Sequence, residues 1–181
     1  FSDEVEQYEL VKLRLLNGSH SLISYLGGLS NSPTIPSARD KEFVAKSVHA
    51  AIYNEFLPSI ELPHGFDADA YVAQLFHRWQ NHALGDKTAR VGSDGSAKLL
   101  QRIPEPALRL LNMGQMPNEM ALTAASWIAC VAPPAGFDPG EIAAEMEEPQ
   151  RENLAKATAG AKNTHEHVEK IMTGGFFPTE L

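Results

Sequence analysis

Apolar residues between positions 10 and 29 fall on almost every side of a helix. Plotted at about 100° per residue, Val11, Leu15, Leu22 and Leu26 make one tight stripe, and Leu10, Leu13, Leu16 and Ile23 spread apolar surface around most of the rest. A helix of that kind belongs in a core. The pattern predicts a helix from about Asp3 to Leu26, stopped by the Gly27-Gly28 pair. Asn31 to Ser37, with Pro33 and Pro36, reads as a loop, and a second helix is expected from about Ala38 to Phe56, broken by Pro58. Asp67 is placed to cap a helix over Ala68 to Asn81. A short piece over Ser96 to Arg102 follows, then a helix opened by Pro104 and closed at Met113-Gly114. Asn118 is expected to cap Glu119 to Val131, which Pro133-Pro134 ends, and the tail divides into short helices near 139–147, 149–159 and 164–173. No segment alternates in the manner of a strand, so the pattern predicts an all-α, multi-helix domain.

A lysine, an asparagine and a histidine, Lys12, Asn17 and His20, are set into the first apolar helix. On an α-helical wheel Asn17 lies about 140° and His20 about 80° from Lys12, so the three share one sector. Two readings follow from the residues. In one, a lysine in apolar surroundings has its ammonium form disfavoured and serves as a general base, while an amide and an imidazole N–H hold a substrate oxygen. In the other, Lys12 snorkels to solvent, Asn17 is tied to backbone and His20 is a satisfied core histidine. Lys12 and His20 stand about 12 Å apart along the axis, so only the long lysine side chain brings them to one small group.

The stretch Tyr8-Glu9-Leu10-Val11-Lys12-Leu13-Arg14-Leu15-Leu16-Asn17-Gly18-Ser19-His20, followed by Leu26-Gly27, closely resembles the signature of the long-chain mannitol dehydrogenase family of polyol dehydrogenases and hexuronate reductases. The segment from Arg90 to Arg102, with Asp94-Gly95 and Lys98, looks like the family's second motif, Arg-x-x-x-Asp-Gly-x-x-Lys. The resemblance implies that Lys12 is the general base or acid, that Asn17 and His20 orient and polarise the reacting oxygen, and that Arg90 and Lys98 contact substrate. It also implies a helical domain of the type seen at the C-terminus of 6-phosphogluconate dehydrogenase, NAD or NADP as cofactor, no metal, and a small-molecule polyol or sugar acid as substrate.

The family's dinucleotide-binding domain lies N-terminal to this motif, yet these residues contain no Gly-x-Gly-x-x-Gly and no βαβ pattern. Residues 1–181 are therefore expected to be the C-terminal substrate domain alone, beginning at Phe1 near a domain junction and inactive without its N-terminal partner. The family's remaining substrate-site asparagine is expected in that other half.

Composition constrains the rest. With 43% hydrophobic residues in 181, the chain can fill a core. The net charge of −8 argues against non-specific nucleic-acid binding. No apolar run approaches a membrane span and no signal peptide is evident, so the cytoplasm is the expected location. The single cysteine, Cys130, sits among Trp127, Ile128, Ala129 and Val131 and reads as a buried structural thiol. His165-Glu166-His167 lacks the face geometry of a metal site, His77, Arg78 and His82 around Trp79 read as a polar helix end, and Glu145, Glu147, Glu148 and Glu152 read as a solvated face. A helical domain of another dehydrogenase, such as the 6-phosphogluconate type with a phosphorylated substrate, and a non-catalytic helical interaction domain are the alternatives.

Overall fold

A computed structural model of the chain describes residues 4–178, so the expected helix start at Asp3 and the opening at Phe1 lie outside the described residues. Helix α1 (Val5–Val11) runs without a break into a π-helical segment, Lys12–Gly18, and on into α2 (Ser19–Leu29). Val11, Leu15, Leu22 and Leu26 are buried as their stripe requires. The π segment was not legible on an α-helical wheel, because the i→i+5 bonding of a π turn adds a residue to each turn. Lys12 and Asn17, five apart, thereby take up the neighbouring relation that an α-helix gives to residues four apart.

Gly27 and Gly28 do not end the helix. A Cβ on Gly27 would lie 2.6 Å from Ala38 Cβ and 3.1 Å from Thr88 Cγ2, and one on Gly28 would lie 2.6 Å from Met146 Cε. The pair is there for close approach of neighbouring chain. The helix stops at Leu29 in a Schellman turn, in which Asn31 takes φ 53°, its N–H reaches Gly28 O, and Ser32 N–H reaches Gly27 O at 2.8 Å.

The expected helix over 38–56 is divided. Thr34 and Ser37 form a reciprocal capping box that starts α3 (Ile35–Arg39) inside the supposed loop. After a turn at Asp40, α4 (Glu42–Ala50) leads into a second π segment, Ala51–Phe56, and a 3-10 turn, Leu57–Ser59. Asp67 caps α5 (Ala68–Trp79) through Ala70 N–H, as its position predicts. Then come α6 (Thr88–Gly92), α7 (Gly95–Arg102), α8 (Pro104–Asn112) and α9 (Asn118–Val131), and the tail carries α10 (Glu141–Ala144), α11 (Arg151–Thr158) and α12 (Thr164–Thr173).

Among the described residues the only β pairing is an isolated bridge between Thr34 and Lys87, so the domain is all-α as predicted. No helix among them is long and apolar enough to cross a membrane. Helix α2 is central: α3, α4, α6, α9 and α10 all pack on it, while α7 packs on the π segment. Cys130 is buried against the Tyr25 carbonyl, and burial pushes its thiol up to about 12.

Two acidic residues do structural work that their sequence context hid. Asn118 does not cap α9; the buried Glu55 carboxylate does, from the second π segment. Glu148 is no part of a solvated face. It is 8% exposed and its carboxylate accepts the Ser96 hydroxyl at 2.5 Å, the Ser96 N–H at 3.0 Å and the Trp127 indole N–H at 3.1 Å. Burial pushes that carboxyl up, but the hydrogen bonds from Ser96, Gln150 and Trp127 outweigh it and hold the group below its ordinary range.

Candidate functional site

The widened helix packs against α6 and α7, and Trp79 at the end of α5 reaches it through His20. His20, the second residue of α2, is half-buried, and its Nε2 accepts the indole N–H of Trp79 at 2.7 Å. The two rings lie 5.6 Å apart. Burial first, and then Arg78, Arg102 and Arg90 against the opposing Asp86, push the imidazole down to about 4. His20 is neutral at neutral pH.

Asn17 ends the π segment but one, and it is held through its backbone. Its carbonyl accepts Arg102 Nη1 at 3.0 Å, and the same nitrogen reaches Ser21 Oγ at 2.8 Å. The side-chain amide of Asn17 has no hydrogen-bond partner among the described residues. Arg14, buried on the same segment, donates to Gln101 O at 2.7 Å and pairs with Glu105. Two arginines thus pin the π segment to α7 and the start of α8.

Lys12 departs from the buried position its helix suggests. It is exposed at the first residue of the π segment, because the chain packed on this stretch, α7 and the second π segment, covers the faces carrying Arg14, Leu15 and Gly18 instead. Its ammonium has no protein partner among the described residues.

Arg90 lies on α6 against the central helix, exposed, with its guanidinium on Asp86 at 2.7 Å. An exposed pair of this kind contributes little and exchanges readily for another carboxylate. Lys98 reaches back to the C-terminal end of α6, donating to Ser93 O at 2.6 Å and Val91 O at 3.2 Å. An ammonium has three N–H bonds, so one remains. Burial lowers the pKa of Lys98, as do Arg102 and Arg90, with Asp94 and Glu148 opposing. Arg90 and Arg102 therefore bear electrostatically on both His20 and Lys98.

Between α6 and α7, Asp94 takes φ 56° and its N–H is bound to Glu147 O at 2.8 Å, so the Gly92 to Gly95 stretch is a tied connector. His167 is bound to Ala132 O at 2.7 Å, and His82 pairs with Asp40 at 2.9 Å.

Sequence reasoning missed Trp79 and Arg102. Arg102 had a usable signal, since it stands four residues after Lys98 and so shares its helix face. Trp79 had none, being 59 residues from its partner.

Fold and site together define an all-helical domain that carries a neutral histidine, an asparagine and a free lysine on one locally widened helix. The chain belongs to the mannitol dehydrogenase C-terminal domain family, whose model matches residues 4–173. It is 30% identical over 181 residues to the D-mannonate oxidoreductase of Escherichia coli, covering all of this chain and 37% of that protein. It is 33% identical over 165 residues to a mannitol 2-dehydrogenase of Emericella nidulans, covering 90% of this chain and 32% of that protein. The chain thus spans about a third of the length of these curated relatives. Among solved structures, the Pseudomonas fluorescens mannitol 2-dehydrogenase in ternary complex with NAD and D-mannitol superposes with a TM-score of 0.81 at 24% identity, over 96% of this chain and 34% of that one. A D-sorbitol dehydrogenase in substrate-free form gives 0.77 at 21% identity over 93% of this chain and 34% of that one. At those identities the superpositions speak for the fold.

Proposed function

We propose that this domain supplies proton transfer and substrate positioning to a longer NAD(P)-dependent oxidoreductase that interconverts a linear polyol or aldonate with its keto sugar. The observation that carries the reading is the pairing of a neutral, anchored His20 with an unpartnered Lys12 on the same widened helix. The relatives that act on mannitol and mannonate support the substrate class, and the NAD of the related complex supports the cofactor.

The described residues form no strand and so no fold of the dinucleotide-binding type. The cofactor, which accepts hydride from the alcohol carbon, is assigned to an N-terminal domain of the longer enzyme. This chain's own residues handle the oxygen. The Lys12 amine takes the hydroxyl proton during oxidation and returns it as ammonium during reduction. The His20 N–H and the Asn17 amide donate to the oxygen as it gains carbonyl character. Arg90, exchanging Asp86 for substrate, and Lys98, with its remaining N–H, hold distal hydroxyls or a carboxylate and so select the carbon that faces the nicotinamide. Because Lys12 is exposed in this domain, the desolvated surroundings that suit an amine base come from the other domain and the bound ligands.

The test uses the full-length enzyme with mannitol and mannonate as alternative substrates. Lys12→Ala is expected to lose about 10²-fold or more in kcat for oxidation while cofactor affinity stays unchanged, with partial rescue by a small primary amine. A near-native kcat and unchanged pH profile would remove Lys12 from the mechanism. Turnover only of a phosphate ester would replace the substrate class.

A further inference from the structure

We infer that Trp79 is a positioning residue that fixes the tautomer of His20, making the imidazole a hydrogen-bond donor through Nδ1 and withdrawing it as a base. The inference rests on the reading above in one respect, that His20 meets the reacting oxygen.

An indole nitrogen is a donor and never an acceptor. With Trp79 Nε1 at 2.7 Å from His20 Nε2, the hydrogen lies on the indole side and Nε2 offers its lone pair. A neutral imidazole has one N–H and one lone pair, so its hydrogen sits on Nδ1. No described residue hydrogen-bonds to that Nδ1, which leaves it available to a ligand.

The donor is held rigidly. Trp79 is the last residue of α5, is 2% exposed, and packs edge-on to Phe76 at 5.8 Å as well as against His20. The charged groups that face the imidazole come from every side: Arg78 from α5 itself, Asp86 from the connector before α6, Arg90 from α6 and Arg102 from α7. Three cations against one carboxylate oppose a second proton on the ring.

The consequence is a division of labour. The single lone pair of His20 is occupied by the indole, so His20 can accept the substrate's hydroxyl proton only by breaking that bond. The proton passes to Lys12, whose amine is unencumbered, while Nδ1–H stays on the oxygen throughout. A mobile histidine with either nitrogen free would compete as a base and would offer a donor in only part of the population.

The test uses the full-length enzyme containing 15N-labelled histidine, with the His20 signals assigned by their loss in His20→Gln. Two-bond 1H–15N correlation without substrate is expected to show the Nδ1-protonated pattern at neutral pH. Trp79→Phe keeps a ring in place and deletes the donor. It is expected to move His20 toward the Nε2-protonated form and to lower kcat for polyol oxidation about tenfold or more, the direction seen when a catalytic histidine loses the partner that sets its tautomer, with KM for the cofactor unchanged. An Nε2-protonated pattern in the unsubstituted enzyme overturns the inference, as does an Nδ1 pattern or a kcat that survives Trp79→Phe unaltered. The unsubstituted measurement is decisive even if the variant folds poorly. The tautomer is read without substrate, so an error in the substrate class leaves it standing, and an error in the tautomer leaves the Lys12 test untouched.

Discussion

The Glu55 carboxylate accepts the main-chain N–H of Met120, 65 residues away, at 2.9 Å, and that of Glu119 at 2.6 Å, closing the N-terminus of α9. A helix start leaves N–H groups without intrahelical partners, and here a buried side chain from another segment satisfies two of them. Glu55→Ala is expected to lower stability by about 2 kcal/mol, the upper end for loss of a helix cap. Glu55→Gln, which keeps one acceptor oxygen, is expected to lose less. Urea denaturation of the two variants distinguishes them, and equal losses would deny the cap its role.

His20 should make stability depend on pH. Its folded-state value is depressed to about 4 from 6.5, so the unfolded chain binds the proton first as pH falls. The contribution is full above 6.5 and is lost as pH drops toward 4, at about 1.4 kcal/mol per unit of difference. The expected check is Tm against pH for the native sequence and for His20→Gln, in which the slope across that window should flatten. A parallel pair of curves would show that His20 is not held neutral.

Gly95 has no room for a side chain. An added Cβ would lie 2.3 Å from Trp127 Nε1 and 2.7 Å from the Tyr25 hydroxyl, both buried. Gly95→Ala, ordinarily a gain inside a helix, is expected instead to cost about 1–3 kcal/mol by overpacking. A rise in Tm would contradict the packing described.

Arg102 should act through Asn17. Arg102→Lys retains the charge but replaces the planar fork with a point donor, loosening the hold on Asn17 O and Ser21 Oγ. In the full-length enzyme kcat is expected to fall about tenfold with cofactor KM unchanged, on the general sensitivity of catalysis to small misplacement. Steady-state kinetics that show no change in kcat would leave Arg102 a purely structural residue.

The isolated 181-residue chain should bind NADH weakly or not at all, because its described residues build no dinucleotide fold. Calorimetric titration gives the answer directly. Micromolar affinity would overturn the assignment of the cofactor to another domain.

Much of this domain was legible before any coordinates. The Val11, Leu15, Leu22 and Leu26 stripe identified the central helix, Asp67 and Pro104 marked helix starts correctly, and the Lys12, Asn17, His20, Arg90 and Lys98 pattern carried the family resemblance. Helix periodicity and capping are local, and a segment of a few residues contains the physics that decides them. Other features depended on which chain packs beside which. The glycine pair at 27–28 looks like a stop and is a close-approach site, because Ala38, Thr88 and Met146 press on it. Lys12 sits on an apolar helix yet is exposed, since the chain packed around the helix covers its other faces. Glu148 resembles its solvated neighbours but is buried under Ser96 and Trp127. The arginines that hold the π segment and the indole that meets His20 each rest on partners far away in sequence. Local sequence determined the helices and the residues capable of chemistry, whereas tertiary packing alone decided their protonation, exposure and alignment, because those are set by neighbours that no stretch of chain contains.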